Sequence, residues 1–128
     1  MNPCKVIIAG SRTITDIRCV EAALAASGFR PTLVISGTAR GVDQLGEQWA
    51  TARGIMVLRM PANWGAHGKA AGPIRNSAML EEADCVVVVW DGKSRGSQDM
   101  ISKANRSGKK VYVHLVELGG AGTPAKLT

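Results

Sequence analysis

Aromatic residues are scarce in this 128-residue chain: one Phe, one Tyr and three Trp make up 4% of it. Few platforms are left for stacking the bases of single-stranded nucleic acid. Histidine occurs only twice, and the three cysteines, Cys4, Cys19 and Cys85, form no CxxC pair and no Cys/His cluster. Neither a zinc-type site nor a disulfide framework is expected, and no metal is assigned. Two of the cysteines fall in apolar runs and read as small core residues of a reduced compartment. The longest apolar run, Cys85 to Trp90, is far short of the roughly 18 residues a membrane helix needs. The first residues lack the charged-then-apolar order of a signal peptide, so a cytoplasmic protein without a membrane partner is expected. There is no GxxxxGK[ST] and no GxGxxG after the first strand, which argues against a P-loop ATPase and an NAD dehydrogenase of the common kind. No cofactor is assigned.

What is abundant is positive charge and glycine. Sixteen Lys and Arg against ten Asp and Glu give a net charge of +6, a balance that favours anionic partners. Glycine occurs 15 times, above the usual level of about 7%. The length suits one domain with a real core, and the 45% hydrophobic and 20% charged fractions are those of a globular chain.

Hydrophobic periodicity predicts strands at Cys4 to Ala9, Thr32 to Ile35, Ile55 to Arg59, Val86 to Trp90 and Lys110 to Val116. Between them, helices are predicted from about Asp16 to Ser27, Val42 to Arg53, Pro73 to Glu82 and Gly96 to Ser107. Thr13 followed by Asp16 supplies the first start signal, and Pro73 suits a first helical turn. Met60 to Ala71 reads as a polar loop. Four consecutive valines at 86–89 indicate a strand buried on both faces. This alternation implies a single doubly wound, Rossmann-like α/β domain over residues 1–117, with a five-stranded, mainly parallel sheet and helices on both faces. Residues 118–128, rich in glycine, read as a flexible tail.

In such folds ligands bind beyond the carboxyl ends of the strands. Three predicted loops lie there: Gly10-Ser11-Arg12; Ser36-Gly37-Thr38-Ala39-Arg40-Gly41-Val42-Asp43; and Asp91-Gly92-Lys93-Ser94-Arg95-Gly96-Ser97. Each combines glycine for close backbone approach, a hydroxyl donor and a guanidinium, the chemistry of a phosphate cradle. Arg12, Arg40, Arg59, Lys69, Arg75, Lys93 and Arg95, seven of the 16 basic residues, fall at this edge. Any one such loop also suits an ordinary strand-to-helix turn, so the weight rests on having three. Asp43 is placed to hold a ribose hydroxyl or a base amine, to orient Arg40, or simply to favour its helix start. Trp64 is a candidate base-stacking residue and His67 a candidate base or proton contact; Trp49, Trp90 and His114 read as structural.

These loops, together with Ile7-Ile8-Ala9 before the first and Gly72-Pro73-Ile74-Arg75-Asn76, occur in an order that resembles the YspA/YpsA-related family of the SLOG superfamily, across residues 4 to 116. That superfamily includes the Lonely Guy phosphoribohydrolases and the DNA-processing protein DprA. The resemblance implies binding of a nucleotide or nucleotide-derived ligand, as sensor or processing protein, in a homodimer. Arg12, Arg40, Arg75 and Arg95 would hold phosphate, with Asn76 beside Arg75. Gly96-Ser97 is similar to the Gly-Thr of the Lonely Guy motif PGGxGTxxE. The glutamate of that motif falls at Met100, and Asp99 next to it is rotated by about 100° on a helix. Candidate catalytic residues for an N-glycosidic hydrolase are therefore Asp43, Arg75 and Asp99, but Met100 weakens that reading. The third alternative, a DprA-like binder of single-stranded nucleic acid, draws on the net charge and is opposed by the shortage of aromatics.

Overall fold

The alternation of β-branched runs with helical stripes is realised element by element. The computed structural model describes residues 3–117 and 124–126. Its elements in chain order are β1 (Pro3–Gly10), α1 (Ile17–Ser27), β2 (Arg30–Ser36), α2 (Val42–Ala52), β3 (Met56–Arg59), α3 (Trp64–His67), a 3-10 turn (Gly68–Ala70), α4 (Ala71–Glu82), β4 (Cys85–Trp90), α5 (Arg95–Arg106), β5 (Lys110–Val116) and β6 (Pro124–Lys126). The five expected strands are all present and mutually parallel, in the order β3-β2-β1-β4-β5.

Alternation along the inner strands explains the two cores. Val6 and Ile8 of β1 and Val87 and Val89 of β4 face α1 and α2, joining Val20, Leu24, Val42, Leu45 and Trp49. Ile7, Val86 and Val88 face the other way, toward Met79 and Leu80 of α4 and Met100 and Ala104 of α5. All four valines of β4 are fully buried, each contributing about 1.5–3 kcal/mol through burial. Cys4, Cys19 and Cys85 are buried and free. Burial, with Cys4 alongside, pushes the Cys85 thiol up to about 12, so it behaves as core and not as a nucleophile.

Local details depart from expectation in three places. Asp16, not Thr13, caps α1: its side chain accepts from the Arg18 N–H at 2.9 Å, while Thr13 Oγ1 donates to Asp91 at 3.4 Å. The polar loop at 60–71 contains the short helix α3, because the Asn63 side chain accepts from the Ala66 N–H at 3.1 Å and nucleates a turn. α4 consequently begins at Ala71, leaving Pro73 inside the first turn, where helix N–H groups have no intrahelical partner to lose. Of the tail expected at 118–128, residues 118–123, 127 and 128 lie outside the described residues. Pro124–Lys126 pair antiparallel with β5, satisfying a backbone edge that β5 would otherwise present.

Chain order reverses between β1 and β4, where β2 and β3 extend to one side and β5 to the other. The loops beyond the carboxyl ends of β1, β2 and β4 therefore open onto one crevice.

Candidate nucleotide-binding cleft

Ser11, fully buried, organises the crevice. Its N–H donates to the Val89 carbonyl at 3.0 Å, and its own carbonyl accepts from Val42 N–H at 3.3 Å and Ile14 N–H at 3.4 Å. Its hydroxyl accepts from Asp91 N–H at 2.9 Å and lies 3.2 Å from Ser94 Oγ. One residue at the end of β1 thus ties together the β4–α5 loop and the start of α2. Gly41 makes this approach feasible: its φ is +79°, and a Cβ there would lie 2.5 Å from the Ser11 carbonyl oxygen.

The β4–α5 loop is a turn closed by Asp91. Its Oδ1 accepts from Lys93 N–H at 2.8 Å and Ser94 N–H at 2.9 Å, and against its desolvation these bonds hold the carboxyl below its usual range. Gly92 takes the left-handed position, with φ +82°. Ser94 Oγ then donates to Ser97 Oγ at 2.7 Å, so a line of hydroxyls from Ser11 through Ser94 to Ser97 leads to the N-terminus of α5. Asp91 is not among the site residues expected from the sequence; its signal there is an aspartate two residues ahead of Lys93 in a glycine-containing turn.

On the β2 side, Ser36 is buried and donates to Glu47 Oε2 at 2.6 Å while accepting from Thr38 N–H at 3.0 Å. Thr38 adopts φ +66°, a left-handed conformation that β-branched residues rarely take. Gly37 is needed for proximity: a Cβ there would meet Arg75 Nη1 at 2.6 Å and Asp43 Oδ2 at 2.8 Å. Arg75, half-buried at the start of α4, donates from Nη1 to the Gly37 carbonyl and from Nε to Asn76 Oδ1 at 3.1 Å. Asp43 is 6% exposed, and its Oδ2 accepts from the Ala39 N–H at 3.1 Å. Desolvation raises its pKa to about 6, against the lowering influence of the Ala39 bond and of Arg75 and Arg12.

These loops enclose a cleft with two lobes. The inner lobe, about 360 Å³, is lined by Gly10, Arg12, Thr13, Gly37, Ala39, Asp43, Arg75, Asn76, Asp91, Ser94, Arg95, Gly96 and Ser97, with Ala9, Met79 and Met100 as its apolar floor. The outer lobe, about 690 Å³, shares Arg12, Gly37, Ala39 and Arg75 and adds Thr38, Arg40, Pro61, Ala62 and Trp64. Ser11, Ser36, Gly41 and Gly92 shape the walls from behind and do not line either lobe. Among the described residues the side chains of Arg12, Arg40 and Arg95 make no hydrogen bond or ion pair, whereas that of Arg59 is held by Glu47 at 2.8 Å. Asp99 points elsewhere: it accepts from Asn76 Nδ2 at 3.0 Å and pairs with Lys103 at 3.1 Å. Met100 occupies the position facing the cleft. Trp64 is 51% exposed at the rim, while His67 is exposed and lines neither lobe. Pro61 and Ala62, absent from the sequence-based site, enter because the loop after β3 folds over the outer lobe. No group of three or more His, Cys, Asp or Glu among the described residues is arranged to hold a metal, and none of the described helices is long and apolar enough to cross a membrane.

Residues 4–67 match the YspA, cpYpsA-related SLOG family (YAcAr). The gene 61 protein of Mycobacterium phage D29 is 34% identical over 113 residues, covering 81% of this chain and 90% of the phage protein. The chain belongs to the YspA, cpYpsA-related SLOG family. This SLOG domain is also similar in structure to DNA processing protein A (DprA) from Streptococcus pneumoniae, with a TM-score of 0.68 at 20% identity over 85% of this chain and 49% of that one. The chain spans about half the length of that DprA chain, and at this identity the likeness is one of fold. The SLOG match covers the first two of the three loops; the third, at 91–97, meets them in space through Ser11.

Proposed function

We propose that this SLOG protein binds a nucleotide or a phosphorylated nucleotide-derived ligand in the two-lobed cleft, as a sensor or processing protein of the cytosol. The observation that carries the reading is the convergence of Arg12, Arg75 and Arg95 on the inner lobe where α5 begins. Guanidinium forks, helix N–H groups and the Ser97 hydroxyl, which accepts from Ser94 and keeps its own proton to give, are the donors a phosphate monoester requires. The outer lobe, with Arg40 and the exposed face of Trp64, suits the base end of such a molecule.

A thermal-shift screen of mono- and dinucleotides, nucleotide sugars and ADP-ribose should raise Tm by a few degrees, because a ligand that binds only the folded state stabilises it. Arg75→Ala and Arg40→Ala should reduce the shift. A broad panel without a single shift removes the proposal.

An N-glycosidic hydrolase is the second reading. It needs a carboxylate beside the anomeric carbon to stabilise developing positive charge. Met100 fills the cleft-facing position on α5, Asp99 is engaged with Asn76 and Lys103, and both oxygens of Asp91 are taken by Lys93 N–H, Ser94 N–H and Thr13 Oγ1, so Asp43 is the inner-lobe carboxylate with an oxygen to spare. Binding without release of free base is the expected outcome, checked by chromatography across the common ribo- and deoxyribonucleotides. Turnover lost in Arg75→Ala would instead establish the hydrolase. A single-stranded nucleic-acid binder is disfavoured by the one exposed tryptophan at the cleft. A homodimer completes the proposal; β3 leaves a free sheet edge among the described residues, with Met56 75% exposed. Light scattering returning 13.4 kDa at micromolar concentration would remove it.

A further inference from the structure

The cleft is chemically uneven along its length. At the α5 end, Ser97, Arg95 and the helix N-terminus offer donors or positive charge, and the carboxylate there, Asp91, has both oxygens taken by Lys93 N–H, Ser94 N–H and Thr13 Oγ1. At the rim, Trp64 offers a flat aromatic face. Near the junction of the two lobes stands Asp43, beside the Gly37, Ala39 and Arg75 wall that both lobes share. A carboxylate is an acceptor only when ionised. One of its oxygens, Oδ2, is taken by the Ala39 N–H, and Oδ1 has no hydrogen-bond partner among the described residues. Asp43 is 6% exposed with Arg75 and Arg12 as charged neighbours, and its unpartnered Oδ1 on the cleft wall favours a group that brings O–H or N–H donors over one, such as phosphate, that brings none.

We propose that Asp43 is the sugar-reading residue of the cleft, accepting from the 2′- and 3′-hydroxyls of a ribose so that the site selects ribonucleotides over 2′-deoxyribonucleotides. This rests on the nucleotide reading above and adds an orientation: phosphate at the α5 end, ribose against Asp43, base toward Trp64. The order follows the molecule itself, since in a 5′-nucleotide the sugar is the segment between anion and aromatic ring and its vicinal hydroxyls are the donors located there. Removing the 2′-hydroxyl leaves the carboxylate with one donor fewer, and a hydrogen bond to a charged partner is worth about tenfold or more in affinity. Asp43→Asn retains an acceptor for the Ala39 N–H but replaces the free carboxylate oxygen by an amide without the charge.

The test is calorimetric titration of the full chain at pH 7.5 with 5′-ribonucleoside monophosphates of all four bases and their 2′-deoxy counterparts, against wild type, Asp43→Asn and Asp43→Ala. Circular dichroism verifies that each variant is folded. The expected result is a ribose preference of about tenfold or more for every base that binds, collapsing toward unity in both variants because the ribonucleotides lose two hydroxyl contacts and the 2′-deoxy counterparts only the 3′ one. Equal affinity for the two sugars in wild type, a preference that survives in the variants, or a loss in Asp43→Asn confined to one base would each overturn the assignment, the last by making Asp43 a base reader. If no nucleotide of either sugar binds, the nucleotide reading itself is lost along with the assignment.

Discussion

At the scale of single residues, Asp43 sets stability against the binding role proposed for it. Arg75 and Arg12 face it favourably and Glu47 unfavourably, yet desolvation wins and its carboxyl titrates near 6 in place of the ordinary 3.8. The folded state therefore holds a proton that the unfolded chain releases, and stability falls as pH rises from about 4 through 6 before levelling. Asp43→Asn lacks this penalty. It should unfold at higher urea than wild type at pH 7.5, by at most about 3 kcal/mol, with the advantage shrinking toward zero at pH 4. An equal effect at both pH values would sink the explanation. Two glycines of the same loop separate fold from site. Gly41→Ala combines a left-handed φ with a clash against the Ser11 carbonyl and should cost about 2 kcal/mol or more in urea unfolding. Gly37 has no left-handed φ, and its added Cβ meets only the ends of the Arg75 and Asp43 side chains. Gly37→Ala should leave Tm within a few degrees of wild type while abolishing the ligand-induced shift. A variant that unfolds like Gly41→Ala would make Gly37 a folding residue instead.

At the scale of elements, legibility followed the kind of signal. Val86 to Val89 announce a central strand because a run without polar alternation has no solvent face to offer. The stripe of Val42, Leu45 and Trp49 announces α2 for the complementary reason. α3 escaped notice because four residues carry no period; its cause is one side chain, Asn63, acting on one N–H. β6 escaped because pairing at a sheet edge is a backbone transaction that leaves little trace in side-chain type. On α5 the rotational phase was decisive. Met100 faces the cleft floor, and Asp99, one position back, turns to Asn76 and Lys103. The β4–α5 loop depends in turn on a side chain outside it. Ser11→Ala removes the acceptor of the Asp91 N–H and the neighbour of Ser94. A loss of about 1–3 kcal/mol in urea unfolding is expected, together with weaker phosphate binding; unchanged stability would mean that Asp91 and Ser94 hold the loop unaided.

At the scale of the whole molecule, the doubly wound architecture was readable from strand and helix alternation, and with it the edge at which the loops gather. Which loop residues enter the cleft was less readable. Ser11, Ser36 and Gly41 carry the same glycine-and-hydroxyl signature as Ser94 and Gly37, yet they face the protein; the difference lies in which neighbour each meets across the sheet. That arrangement has a kinetic consequence. Because Ser11 joins the strand β1, the head of α2 and the β4–α5 turn by hydrogen bonds within the chain, the fold itself holds the cleft walls in register. Stopped-flow association should be a single phase whose rate rises linearly with ligand concentration, with no plateau from a slow closing step. The amides of Val42 and Asp91, both bonded to Ser11, should exchange with deuterated solvent as slowly as those in the middle of β4, opening only when the whole domain does.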